Sequence, residues 1–258
     1  MSVAPQPRDG EGLLPLCIVP EWNAPANVRA LMTTRRGGVS TGARASLDLG
    51  GHASRAPDVL ENRRLLRALL PADPHWLHQV HGAHVANLGR DAAAQAWPQA
   101  DAAITTARNV VCAVRVADCL PVLLADVGGR CVGIAHAGWR GMAGGVIEAT
   151  VAAMREAGSA RQTAWLGPAI SRAAFEVGPE VHAAFCSDDP AAEHAFTPGA
   201  APAKWQADLY ALARRRLQRA GVTDIAGGGY CTRTQADLFF SYRREHETGR
   251  MAALVWIA

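Results

Sequence analysis

"VGIAHAGWRG" (residues 132–141) runs from an apolar segment into a turn broken by two glycines, with a histidine, a tryptophan and an arginine at the join. An apolar run that stops on such glycines reads as a strand entering a tight turn, and a helix is expected beyond it over 142–157. Two roles are then open for the three side chains. Gly138 and Gly141 can serve only to make the turn, with Trp139 covering an edge of the core. Alternatively, His136 stands at the carboxyl end of the strand and faces a helix N-terminus, whose free N–H groups favour an anion. The segments on either side have to decide.

Working outward, "PVLLADV" (121–127) and "CVGIAHA" (131–137) flank Gly128-Gly129, the pattern of a β-hairpin. "VRALMTT" (28–34), "VVCAVRV" (110–116) and "MAALVWIA" (251–258) read as further strands. "APDVLENRRLLRALL" (56–70) places Val59, Leu60, Leu66 and Leu70 near one face of a helix. Helices are also expected at 179–186 and 205–220, and loops at 90–99 and 187–203. Antiparallel pairing mixed with helices, without a repeating βαβ unit, gives an α+β fold: a single domain with a mixed β core flanked by helices. Residues 1–24 read as a partly flexible N-terminal extension and 25–258 as the folded domain.

Composition narrows the function. A chain of 258 residues, 49% hydrophobic, buries one sizeable core. Its net charge is only +3, and its basic residues, nearly all arginine, form no run, so nucleic acid is not an expected partner. No protein partner is indicated either. The start of the chain lacks a basic stretch followed by an apolar one, and no segment suits a membrane span, so a cytoplasmic location is expected. Six cysteines without a CxxC or a disulfide-like spacing are expected mostly as small core residues.

Two places stand out chemically. "HWLHQVHGAH" spaces His75, His78, His81 and His84 three apart. The valines and the glycine between them favour extended chain, where alternation turns His78 and His84 away from His75 and His81. "VRVADCLPVLL" (114–124) sets Asp118-Cys119 at a break between two apolar runs. A carboxylate there costs stability unless it is hydrogen-bonded or serves chemistry.

Taken in order, "TTRRGGVS" (33–40), "SLDLGGH" (46–52), "HQVHG" (78–82), "ADCLPVLL" (117–124), "AHAGWRG" (135–141), "LGPAIS" (166–171), "FEVG" (175–178), "FFSYRR" (239–244) and "TGRMAAL" (248–254) resemble the YfiH, or laccase-domain, family over about residues 25–258. The resemblance implies a CNF-toxin/YfiH-like fold and one metal held by His81, Cys119 and His136. Two imidazoles and a thiolate leave one tetrahedral position open, which suits catalytic zinc, with copper as the alternative metal for the same soft donors. It also implies purine nucleoside phosphorylase activity on adenosine, inosine and methylthioadenosine, with adenosine deaminase activity beside it. The small-molecule partners are then purine nucleosides and phosphate.

For that reaction Arg35, Arg140 and Arg243 (or Arg244) are expected to bind phosphate, since guanidinium groups grip oxyanions bidentately. Glu176 and Asp118 are the acid–base candidates for protonating the leaving purine. Glu148 fits a solvated face or a salt bridge better. Asp48 stands where the family usually has Asn, which weakens a phosphate-facing role, because a carboxylate cannot donate. Ser171-Arg172 and Glu245-His246 also depart from the family pattern. Two other chemistries compete. Cys119 with His81 or His136 suits a Cys–His hydrolase or amidase acting on cell-wall precursors. A copper-dependent polyphenol oxidase would need paired His-X-His motifs, which the chain lacks. A metal-binding module without catalysis would not need the surrounding arginines and glycine turns.

Overall fold

The computed structural model describes residues 14–52, 54–89 and 97–258. Its strands are β1 (Val28–Met32), β2 (Pro74–His75), β3 (Val85–Asn87), β4 (Ala102–Thr105), β5 (Val111–Val116), β6 (Leu120–Asp126), β7 (Val132–Ala137), β8 (Gln162–Leu166), β9 (Glu176–Val177), β10 (Phe196–Pro198), β11 (Trp205–Ala207), β12 (Asp224–Gly227) and β13 (Met251–Ile257). The helices are α1 (Pro57–Arg67), α2 (Trp139–Ala143), α3 (Val146–Glu156), α4 (Pro179–Cys186), α5 (Leu209–Arg219) and α6 (Tyr242–Glu245).

Apolar residues on both faces of the central strands decide how these elements stack. Val111 and Ala113 of β5 pack with Leu66 of α1, while Cys112, Val114 and Val116 turn the other way, toward Leu123, Ile134 and Phe239. In β6, Leu123 and Ala125 join that middle core, and Leu120, Val122 and Leu124 meet Ile147, Val151 and Leu212 from α3 and α5. Period-two alternation in doubly buried strands thus yields four layers: α1, a sheet of order β1-β13-β5-β2, a sheet of order β12-β8-β6-β7-β4-β3, and α3 with α5. Each fully buried Leu, Ile or Val stabilises the stack by about 1.5–3 kcal/mol. A small third sheet, β10-β11-β9, lies outside these layers. Parallel pairs (β2 with β5, β3 with β4, β8 with β12) occur among antiparallel ones, so the β core is mixed, as expected.

The hairpin at Gly128-Gly129 forms, with Leu120 opposite Ala137 and Pro121 opposite His136. Three expected boundaries move. The helix expected from 142 begins at Trp139 and breaks at Gly145, whose φ of 90° suits glycine, before resuming as α3. The helix expected over 205–220 begins at Leu209, because the Asp208 side chain accepts from the Ala211 N–H and caps it; residues 205–207 are strand β11 instead. The loop expected over 187–203 contains a 3-10 turn (Pro190–Ala195) and β10, whose partner β11 is remote from any local signal.

Of the loop expected at 90–99, residues 90–96 lie outside the described residues, as do residues 1–13 of the N-terminal extension. Ile18, within that extension, bridges to Met32 of β1. Among the described residues no helix is long and apolar enough to cross a membrane.

Candidate metal centre and cavity

The β6–β7 register brings Cys119 and Gly138 to the open mouth of the hairpin, with His136 one residue inside it. A Cβ at Gly138 would lie 2.8 Å from Cys119 Sγ and 3.3 Å from His81 Cδ2. Glycine is therefore required at 138 for close approach: it lets the thiol and the imidazole converge. Strand β4 pairs beside β7 and delivers Asp101, whose backbone carbonyl accepts from the His136 N–H at 2.7 Å.

Asp101 organises the corner. Its buried carboxylate accepts from the backbone N–H groups of Val80 (3.0 Å), His81 (2.9 Å) and Gly82 (2.8 Å), and from His136 Nδ1 at 2.8 Å. The first three bonds hold His81 at φ 61°, a left-handed conformation that a non-glycine residue adopts only when its surroundings impose it. The fourth fixes the His136 tautomer and leaves Nε2 for a metal. Burial pushes the Asp101 carboxyl up, but the bonds from His136, Gly82 and Val80 prevail and hold it below the usual carboxylate range.

His81, Cys119 and His136 come together, with their ligand atoms all within 4.8 Å of one another. Cys119 Sγ lies 3.9 Å from His81 Nε2, and the two imidazole rings meet edge to face at 4.8 Å. Burial alone would push the Cys119 thiol up, but His136 and then His81 favour the thiolate and bring it down. Burial would lower His136; the Cys119 thiolate and Asp101 raise it instead. Two imidazoles, a thiolate-stabilising environment and a carboxylate behind one imidazole are the donor set and support that a zinc-type ion needs.

The triad forms one end of a cavity of about 310 Å³ lined also by Gly50, Gly51, His52, Gln79, Arg115, Ala117, Tyr242 and Arg250. Arg115 is buried, donates to the carbonyls of Gly50 and Leu77, and lies 4.8 Å from the centre of the Trp97 ring. Burial, with Arg63 and Arg250 close by, pulls it down to about 10, so it stays charged at neutral pH. Arg115 and Arg250 make the wall cationic, and among the described residues no carboxylate lines it.

The other expected site residues lie elsewhere. Arg35 is committed to the carbonyls of Ala45 and Ala236 and to Glu245. Arg140 is exposed and lies over the Trp139 ring at 4.5 Å. Arg243 donates to the Glu176 carbonyl and lies 5.1 Å from the centre of the Phe175 ring. None of the three lines the cavity. Glu176 accepts from the Ala200 N–H. Asp118, left-handed at φ 92°, accepts from Thr232 Oγ1 and the Arg243 N–H, so its carboxylate anchors the start of α6. Neither lines the cavity.

Asp48 corrects the concern about a missing amide, because only acceptance is asked of it: Oδ1 receives the N–H groups of Gly50 and Arg250, each at 2.8 Å, and so ties two walls of the cavity together. Glu148 pairs with Arg216 at 3.0 Å, the salt bridge expected of it. Arg172 pairs with Asp208, and Glu245 with Arg35 and Arg244, which gives two of the departures structural roles.

Sequence reasoning missed Asp101, Arg115, Arg250, His52, Gln79 and Tyr242. Two of them carried a signal. Asp101 opens an alanine-rich strand and Arg115 interrupts "VVCAVRV", each a charge among apolar residues, as Asp118 is.

Residues 29–258 match the family described as multi-copper polyphenol oxidoreductase laccase. The chain is 47% identical to a purine nucleoside phosphorylase of Pseudomonas aeruginosa, over 93% of this chain and 98% of that one. It is also 47% identical to the purine nucleoside phosphorylase YfiH of Escherichia coli K12, with the same coverage of both chains. Among solved structures, a Neisseria meningitidis protein superposes with a TM-score of 0.86 at 47% identity, covering 94% of this chain and 99% of its own. YlmD from Geobacillus stearothermophilus gives 0.80 at 32% identity, covering 90% and 92%.

Proposed function

The chain belongs to the family described as multi-copper polyphenol oxidoreductase laccase, and from that premise we propose that it is a zinc-dependent purine nucleoside phosphorylase of the cytoplasm, acting on adenosine, inosine and methylthioadenosine, with adenosine deamination as a second activity. The names of its relatives support the reaction class. The observation that carries the reading is the cavity itself, with a His/Cys/His cluster at one end and two guanidinium groups in its wall. Its six unpaired thiols fit a reducing compartment.

His81, Cys119 and His136 would hold the metal, with Asp101 orienting His136. A bound zinc supplies Lewis acidity toward an oxygen atom or an activated water. In the proposed phosphorolysis the C1′–N9 bond of the nucleoside breaks, an oxygen of hydrogen phosphate bonds to C1′, and the proton the phosphate gives up goes to the leaving purine. Base and ribose 1-phosphate leave one for one. The role first expected of Arg35, Arg140 and Arg243 passes to Arg115 and Arg250, whose positive field in a partly desolvated wall favours the phosphate. His52, already stacked on His78 at 3.9 Å, and Tyr242 at the mouth offer flat faces to a purine.

Adenosine incubated with metal-replete protein is expected to yield adenine only when phosphate is present, matched by ribose 1-phosphate. Adenine without phosphate, or no adenine at all, overturns the reading. Inosine formed without phosphate reports the deamination.

A second reading has its own observation. Cys119, His136 and Asp101 stand in the order of a nucleophile, a base and an orienting acid, with the thiol drawn toward thiolate. Such a Cys–His hydrolase would keep its activity after metal removal, and Cys119 would be alkylated in the metal-loaded protein. Copper oxidase chemistry is not favoured, because each His/Cys cluster among the described residues offers one metal position only.

A further inference from the structure

Away from the cavity, α4 and the turn after it bring together a second set of donors. His182 and Cys186 are four residues apart, so they share one face of α4, and Glu193 reaches them from the 3-10 turn Pro190–Ala195. The ligand atoms of the three all lie within 4.8 Å of one another. His182 Nε2 and Glu193 Oε2 are already 2.7 Å apart. The imidazole is held in place before any ligand arrives: it stacks on Trp205 at 4.2 Å and 17°, and meets the Phe196 ring edge to face at 5.0 Å.

We propose that His182, Cys186 and Glu193 form a second zinc site, separate from the cavity, that staples α4 to the following turn. Tetrahedral zinc with bonds of about 2.0–2.3 Å requires ligand atoms about 3.3–3.6 Å apart. Shifts of about 1 Å within flexible side chains supply that spacing. One imidazole nitrogen, one sulfur and one carboxylate oxygen select zinc over magnesium or calcium, which take oxygen donors. Charge balances as well: binding displaces the Cys186 thiol proton to solvent, and the thiolate and Glu193 carboxylate together neutralise a divalent ion. Neighbouring cations do not compete for the place, since Arg215 and Arg219 are both engaged by Asp189. Glu193 is half-exposed, which leaves the fourth position to water and gives the ion a way in.

The test reads metal content and does not depend on the phosphorylase reading. Full-length protein is loaded with zinc, dialysed against micromolar free zinc and assayed for metal per chain. About two zinc ions are expected in the wild type and about one each in Cys186→Ser, His182→Gln and Cys119→Ala. Cys119→Ala combined with Cys186→Ser is expected to retain none. Cobalt(II) added to Cys119→Ala should give a near-ultraviolet thiolate band that disappears when Cys186→Ser is added. Cys186→Ser should lower zinc affinity at the second site at least tenfold while phosphate-dependent activity stays unchanged. A wild-type stoichiometry of one, or a second zinc that survives Cys186→Ser and His182→Gln, overturns the proposal and leaves a plain His182–Glu193 hydrogen bond.

Discussion

The two His/Cys clusters use nearly the same donors and are built in opposite ways. His182 and Cys186 share one helical turn, and Glu193 follows within the next, so the chain needs only local structure to bring them together. His81, Cys119 and His136 come from three separate segments, and they meet only after β6 has paired with β7 and β4 has set Asp101 beneath them. One imidazole of the cavity cluster is locked by a carboxylate and the other sits on a backbone held left-handed. The imidazole of the surface cluster is held by an aromatic stack. A locally assembled cluster can bind an ion; a cluster fixed from several layers can also hold a substrate beside the ion in a set geometry.

That contrast can be broken most sharply at Asp101. Asp101→Asn keeps the shape but removes the charge behind His136 and two backbone N–H groups' preferred acceptor, so zinc affinity or turnover at the cavity cluster should fall about 10–100-fold. Metal content at the second cluster should not change, and an equal loss at both would dissolve the distinction. Gly138→Ala comes next. Its new Cβ would crowd Cys119 Sγ, with an expected loss of about tenfold in metal affinity, at the low end of overpacking costs. Circular dichroism should stay that of the wild type.

The arginines sharpen the comparison between structural and exposed positions. Arg35→Ala breaks bonds to two carbonyls and Glu245, so an urea titration should show a loss of about 2 kcal/mol. Arg140→Ala, at an exposed position, should stay within about 0.5 kcal/mol and leave the phosphate requirement unchanged.

A pH-dependent effect is expected near the surface cluster. Asp189 accepts from Arg215 and Arg219, Arg215 first, which holds its carboxyl down to about 2. A folded value below the unfolded one means that the pairing stabilises the protein above about pH 4 and that this contribution is lost as pH falls toward 2. Asp189→Asn should therefore lower the melting temperature by a few degrees at pH 7 and show little difference from wild type near pH 2.

The strands around the hairpin and the helices at 57–67 and 179–186 were legible because alternation, turn glycines and helix-opening prolines are local signals. Strands β10 and β11 were not, since their pairing with each other lends them stability that their own composition does not advertise. The His81, Cys119 and His136 cluster was reached through the motifs of the family, and no spacing rule would have joined residues 81, 119 and 136. The arginines expected to bind phosphate do not line the cavity, for a physical reason. A sequence displays arginines but not their partners, and Arg35 and Arg243 turned out to be occupied by backbone carbonyls. Arg115 was passed over because it lies inside a strand, although a charge in such a place is itself the clue.

Strand β13 lies between β1 and β5, bonded to both, although it is synthesised after either. Until Met251–Ile257 leaves the ribosome, the two neighbours face an empty slot with unpaired edges and apolar side chains. A nascent chain therefore spends most of its synthesis unable to close this sheet, and chains stopped before Met251 are candidates for chaperone capture and edge-to-edge aggregation. Arg250 and Asp48 are joined at the doorstep of that strand. The cavity wall that Arg250 lines is therefore completed only with that same segment.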